Sequence, residues 1–239
     1  MTEEIIWHDL ECGGYEADLP LWLELAERFG GPVLDVGAGT GRVALRLAME
    51  GYPLTALEVE PALAAELEKR AARNGHDIEV VRSDARSWHP QRRFPLVIVA
   101  MQTIQLFGGT DGRREFLAAA REALAPGGIA AIALADLVPE SSGEAVNFPP
   151  DVVELSGSVY SSRAVCVESA PEAITIERER SVKAPDGTGT VARHRQQVDR
   201  LGAARLEAEA VQAGLVPAGR ERVDGTERYL GSEVVLLGA

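Results

Sequence analysis

From Val33 to about Asp136 the chain alternates short β-type runs with helix-length amphipathic segments, and that alternation leaves few architectures open. Strands joined through helices run parallel, and a parallel sheet buries both faces, so the pattern predicts a doubly wound α/β core with helices on each side. The predicted strands are 33–36, 54–58, 78–82, 95–101 and 129–135, with helices at 42–50, 61–73 and 111–125 between them. Leu63, Leu67 and Ala71 recur at helical spacing in the second helix. Ala125-Pro126-Gly127-Gly128 stops the third helix ahead of the fifth strand. Before this unit, Leu21, Trp22, Leu25 and Phe29 share one stripe of a helix over 19–29, which reads as a core face.

Behind the unit the texture changes. A connection rich in Pro, Ser and Glu at 137–151 leads into alternating segments near 152–159, 163–168, 173–182 and 190–198. Asp186-Gly187 supplies a hairpin turn between the last two, so this stretch reads as a small antiparallel β insert. A helix at 202–213, a stop at Gly214 and strands near 215–223 and 232–237 then return to the main sheet and close it with an antiparallel strand.

Composition narrows the partners. The 239 residues suit one larger α/β domain. Thirty-seven acidic against 24 basic residues give a formal charge of −13, a field that repels nucleic-acid phosphates and anionic membranes. Cys12 and Cys166 are too few and too far apart for a disulfide scaffold or a metal knuckle, which points to a reducing compartment and no metal site. The start, MTEEIIWHDLE, lacks the basic and apolar regions of a signal peptide. The most apolar run, Ile129 to Val138, is ten residues long and broken by Asp136, where a membrane span needs roughly twenty. A cytoplasmic protein without membrane or nucleic-acid partners is expected, with a homodimer left open.

The most informative segment is Val33-Leu34-Asp35-Val36-Gly37-Ala38-Gly39-Thr40-Gly41-Arg42, a strand that ends in three alternate glycines and opens a helix. Glycines there let the chain turn sharply and let a ligand approach main-chain atoms and helix N-terminal amides. A dinucleotide fingerprint runs G-x-G-x-x-G, but the sixth position from Gly37 is Arg42. A P-loop ends in Gly-Lys-Ser/Thr, which is absent.

The segment resembles motif I of the class I S-adenosylmethionine-dependent methyltransferases, whose loop cradles the methionyl end of the cofactor. The resemblance places cofactor contacts at Asp35, Gly37, Ala38, Gly39 and Gly41. It places Glu58, at the end of the second strand, on the ribose hydroxyls, where a carboxylate accepts two hydrogen bonds from a vicinal diol. Asp84, after the third strand, matches the acceptor for the adenine amino group, with Val59 and Ala85 beside these acids. Leu124-Ala125-Pro126-Gly127-Gly128 resembles the family's turn before the fifth strand. The likeness covers 33–136 strongly and 202–237 more loosely, and it implies a Rossmann-like, mostly parallel seven-stranded sheet with a C-terminal antiparallel strand. The organisation that follows is a single domain over 1–239. It comprises an N-terminal helical lid (1–30), a cofactor-binding core (31–136), a substrate-side antiparallel insert (150–200) and a closing helix and hairpin (201–239). Asp35 competes between an ammonium contact and tying the loop amides together, and Arg42 is expected on the helix surface.

Methyl transfer from a sulfonium needs orientation and desolvation more than covalent help, so the lack of a catalytic motif does not exclude it. After the fourth strand stands Val99-Ala100-Met101-Gln102-Thr103, without the Asp/Asn-Pro-Pro-aromatic motif of enzymes that methylate base amines, and without the acid of aminopropyl-transferring relatives. Nor is there a carboxylate set of the magnesium-dependent catechol kind. A small-molecule O- or N-methyltransferase is expected. Gln102 is the favoured contact at the methyl-transfer end and Met101 a wall of the cofactor pocket. Trp7, His8 and Tyr15 are expected in a water-excluding lid, Tyr15 foremost. His194, sent by strand alternation to the face opposite Arg193 and Arg195, is a candidate base. The competing readings are a catalytically silent cofactor-binding sensor or assembly subunit and, further off, an NAD-dependent oxidoreductase.

Overall fold

The computed structural model describes residues 2–135 and 149–239, so most of the connection read at 137–151, and Asp136 with it, lies outside the described residues. The helices are α1 (Glu3–His8), α2 (Leu19–Phe29), α3 (Arg42–Met49), α4 (Pro61–Arg73), α5 (Gly109–Ala123) and α6 (Ala203–Gln212). The strands are β1 (Val33–Val36), β2 (Leu54–Glu58), β3 (Ile78–Arg82), β4 (Phe94–Val99), β5 (Leu124–Ala135), β6 (Asp151–Leu155), β7 (Ser158–Ser169), β8 (Ala173–Lys183), β9 (Gly189–Asp199), β10 (Val216–Val223) and β11 (Ser232–Gly238).

Seven strands form one sheet in the order β10-β11-β5-β4-β1-β2-β3. The strands β1 to β5 are parallel, while β11 pairs antiparallel with both β5 and β10. Adjacent residues of each strand divide between two cores. Leu34, Val97 and Ile132 pack with Phe116 and Leu117 of α5 and Leu206 of α6. Val33, Leu96, Ile98 and Ala131 pack with Trp22 and Leu25 of α2 and Leu47 of α3. The expected stripe on α2 is therefore core through Trp22 and Leu25, while Leu21 and Phe29 are partly buried against it. Burial on both faces explains the unbroken apolar runs of β4 and β5. Chain order reverses between β1 and β4, and the crevice at the carboxyl ends of these strands is where open α/β sheets take ligands.

The insert is a second sheet of four antiparallel strands, β6-β7-β8-β9. Its first strand ends sooner than the sequence pattern predicts. Ser156 and Gly157 both have positive φ, 51° and 80°, and turn the chain directly from β6 into a twelve-residue β7. Strand β5 starts earlier than expected because Leu124 already pairs with Phe94, with an irregularity before the register resumes at Leu96 and Ile129. Gln105 fixes the insert to the core: its Nε2 donates to the Asp199 carbonyl at 3.0 Å, while its Oε1 accepts from the Ala135 amide at 2.9 Å. The buried Arg113 guanidinium donates to both Glu209 of α6 and Asp199 at the end of β9. No helix among the described residues is long and apolar enough to cross a membrane.

Candidate active site

The loop after β1 is shaped by what its glycines must avoid. Gly37 has φ +69°, and a Cβ on it would stand 2.6 Å from the Thr103 side chain. Its amide donates to the Leu57 carbonyl at 2.8 Å, which ties the loop to the end of β2. Gly39, at φ +57°, lies under the His8 imidazole, with a Cβ position only 2.4 Å from Nε2. Gly37 and Ala38 line a cavity of about 630 Å³. Gly39 and Gly41, expected to touch a cofactor, do not line it. His8 covers the first, and the second is buried against Leu67 and Leu45, so their role is to let α1 and α4 approach.

Three of the acids that line this cavity stand in different states. Asp35 is 1% exposed, and its Oδ2 has no partner among the described residues. Burial raises its pKa to about 7, against the opposing charge of Arg42. Glu58 accepts the Gly39 amide on one oxygen and the Glu60 amide on the other, each at 2.8 Å. Tying the loop amides together, weighed above for Asp35, is thus done by Glu58, which still faces the cavity with lone pairs to spare. Asp84 is more open and is held by Arg86, whose Nε and Nη2 both donate to it. That bond keeps the Asp84 carboxyl below its ordinary range. Val59 and Leu106, 64% and 44% exposed, stand with Ala85 at this rim and form an apolar slot between the acids.

The roof comes from the chain's first residues and from the insert. Trp7 and His8 line the cavity, and Asp9 accepts from Thr40 at 2.6 Å and from Arg70. Arg42 is not on the surface: it donates to Asp18 at 2.5 and 2.8 Å and to the Tyr15 carbonyl at 2.7 Å, pinning this segment to the glycine loop. Glu11 reaches the other way. It accepts from Ser162 at 2.7 Å and from Arg180 at 2.7 and 2.8 Å. Arg180 also stacks over the Trp7 ring, 5.3 Å from its centroid. His194 joins Arg180 at the cavity's edge, where burial and the Arg180 charge lower its pKa. As alternation requires, Arg193 and Arg195 face away and pair with Glu177.

A second cavity of about 180 Å³ lies under the insert, walled by Val167, Ile174, Ile176 and Val198 from that sheet. Tyr15, expected over the first cavity, lines the second instead, its ring 5.0 Å from that of Tyr229. Asp151 and Arg178 are bonded to each other at 2.8 Å on its polar wall, and burial raises the Asp151 carboxyl. Five residues line both cavities and so form a neck: Glu11, Cys12, Met101, Gln102 and Gln196. Met101 holds φ +54°, a strained backbone for a side chain of its size, at the point where the two spaces meet. Sequence reasoning missed Glu11, Arg86, Arg180 and Gln196. The same alternation that placed His194 assigns Gln196 to its face, but the three others are set by contacts remote in sequence or by local loop geometry.

Residues 33–128 match the protein family described as Methyltransferase domain. That stretch, 96 of the chain's 239 residues, is similar to a methyltransferase domain. A tRNA1(Val) (adenine(37)-N6)-methyltransferase from Bacteroides thetaiotaomicron is 32% identical over 103 residues, a match that takes in 39% of this chain and 42% of that protein. Among solved structures, CalS10 from Micromonospora echinaspora, an amino pentose methyltransferase captured with S-adenosylmethionine, aligns at a TM-score of 0.74 and 19% identity, covering 98% of this chain and 97% of its own. The sugar N-methyltransferase KedS8 from Streptoalloteichus aligns at 0.73 and 21%, over 98% and 92%. A methyltransferase from Clostridium acetobutylicum aligns at 0.76 and 12%, over 99% and 98%. These likenesses extend the methyltransferase fold over the insert and the closing hairpin as well as the matched domain.

Proposed function

We propose that the protein is an S-adenosylmethionine-dependent methyltransferase that moves a methyl group to a nitrogen or oxygen of a small molecule. The observation that carries this is the pair of cavities that meet at Met101 and Gln102. The larger has the groups the cofactor requires: an unpartnered buried carboxylate oxygen on Asp35 for an ammonium, Glu58 for a diol, and the slot of Val59, Ala85 and Leu106 with Asp84 beside it for a purine. Gly37 and Ala38 leave main chain open to the ligand between these groups.

The bound cofactor supplies a methyl group already activated on a sulfonium. The chain's part is to orient and to keep water out. Asp35 would hold the ammonium of the donor, Glu58 its ribose hydroxyls and Asp84 its adenine end, while Met101 would wall it and Trp7 and His8 would cover it. The second cavity seats the acceptor against the insert, in reach of the neck. The amino pentose, sugar and glycopeptide acceptors named for the structural neighbours support a small metabolite. Titration with S-adenosylhomocysteine beside NADH tests the cofactor, since only the true ligand raises the melting temperature. A metabolite screen with labelled methyl donor tests the transfer. A higher melting temperature with NADH and none with S-adenosylhomocysteine refutes the proposal.

A further inference from the structure

The neck between the cavities contains two side-chain amides and no free base. Gln102 leaves the end of β4 and Gln196 comes from β9, so the core and the insert each contribute one. Both are half-buried, and neither amide has a hydrogen-bond partner among the described residues. Water reaches both in the open cavities, so a ligand that displaces it from the neck must hydrogen-bond to them in its place. Their neighbours at the neck cannot take a proton near neutral pH. Burial alone would raise the Glu11 carboxyl, but hydrogen bonds from Arg180 and Ser162 hold it below its ordinary range. Burial pushes the Cys12 thiol up to about 11, so it stays protonated. His194 lines only the cofactor cavity and Asp151 only the second, where it is bonded to Arg178.

We infer that Gln102 and Gln196 together hold the acceptor atom, that this atom is the nitrogen of a neutral amine, and that Gln196 is a specificity-determining residue. The inference rests on the methyltransferase function proposed above. An alcohol needs a base near the operating pH to become a good nucleophile, whereas a neutral amine brings its own lone pair. A primary amine also has two N–H donors. Two amide oxygens can accept both and leave the nitrogen lone pair free, whereas an alcohol has a single O–H to give and meets the second amide only through that amide's NH2 group, a bond that draws on the oxygen lone pairs needed for attack. The new N–C bond forms as the C–S bond breaks, and the bonding pair stays on sulfur, which leaves neutral. The nitrogen becomes an ammonium whose extra proton passes to water.

The test needs no identified acceptor. Sinefungin replaces the methyl sulfonium of the cofactor with a carbon bearing an amine, and so puts N–H donors at the neck, while S-adenosylhomocysteine puts none there. Calorimetry of both ligands with the full chain gives an affinity ratio for each variant. Gln196→Leu and Gln102→Leu each lower the sinefungin-to-S-adenosylhomocysteine ratio about tenfold, the worth of a hydrogen bond from a charged group. Gln196→Glu, which keeps an acceptor and adds charge, raises it. A ratio unchanged in Gln196→Leu and in Gln196→Glu overturns the inference while leaving the cofactor site standing. A wild-type chain that binds neither ligand overturns the methyltransferase reading itself.

Discussion

Replacing Asp35 with Asn separates the demands of stability from those of ligand binding. The wild-type carboxyl is fully buried, and burial moves its pKa from 3.8 to about 7. The unfolded chain releases this proton near pH 4, but the folded ligand-free chain keeps it until pH 7. Folding is therefore favoured most, as far as this group is concerned, below pH 4, and loses stability as pH rises toward 7. A shift of about three units corresponds to roughly 4 kcal/mol once both states are ionised, of which about 3 kcal/mol is lost between pH 5 and 8. Asn is nearly isosteric and does not titrate. The melting temperature of the ligand-free variant should therefore rise relative to wild type by roughly 5–10 °C between pH 5 and 8, on the size scaling for such a chain. Affinity for S-adenosylhomocysteine should move the other way. Losing a charge-assisted contact to its ammonium weakens binding by about 10- to 100-fold at pH 8. The wild-type affinity should also climb with pH through 7, since the ammonium needs an ionised partner, while the variant's stays flat. Thermal melts at four pH values, with and without ligand, read all of this. Parallel curves for the two proteins, or equal affinities, refute the reasoning.

Three further perturbations probe other parts of the site. Gly39→Ala puts a methyl into the His8 imidazole at a positive φ, so S-adenosylhomocysteine affinity should fall at least about tenfold and proteolysis near residue 10 should accelerate, with about 1–3 kcal/mol of strain. Glu11→Ala strands Arg180 under the N-terminal segment; hydrogen exchange over residues 3–13 should quicken and stability drop by about 2 kcal/mol, measured by urea denaturation. Asp84→Ala should weaken S-adenosylhomocysteine about tenfold by calorimetry with little change in melting temperature, because its Arg86 partner is surface-exposed.

What the sequence reveals and what it hides follows from the range of each interaction. The strands β1 to β3, the helix α4 and the closing hairpin are legible because periodicity is local, and β1 and β2 also because they are buried on both faces. Glu58, Asp84 and the glycine loop are legible because they fall at strand ends, where this architecture opens a crevice. The break between β6 and β7 was written in the Ser156-Gly157 dipeptide, which suits a two-residue hairpin, but the apolar alternation ran across it. Arg42 was read as a surface residue because nothing within a helical turn pairs with it; its partner Asp18 stands 24 positions earlier. The same is true of Glu11, whose partners lie more than 150 positions away.

These long-range pairs share a direction. Arg42 with Asp18 ties the N-terminal segment to the glycine loop, Glu11 with Arg180 ties that segment to the insert, and Arg113 with Asp199 ties the insert back to α5. The three contacts link the N-terminal segment, the core and the insert to one another, each between elements that belong to different stretches of the chain. Charged hydrogen bonds serve this purpose better than apolar packing, because a bidentate guanidinium fixes angle as well as distance. In-line transfer depends on that precision, since a misplacement of about 1 Å lowers its rate on the order of a hundredfold. The matched stretch, residues 33–128, supplies one wall of the neck through Gln102, and the other amide, Gln196, comes from β9, which these pairs and Gln105 tie to the core. On the proposed reading, acceptor choice depends on how the insert is tethered as much as on which side chains the insert carries.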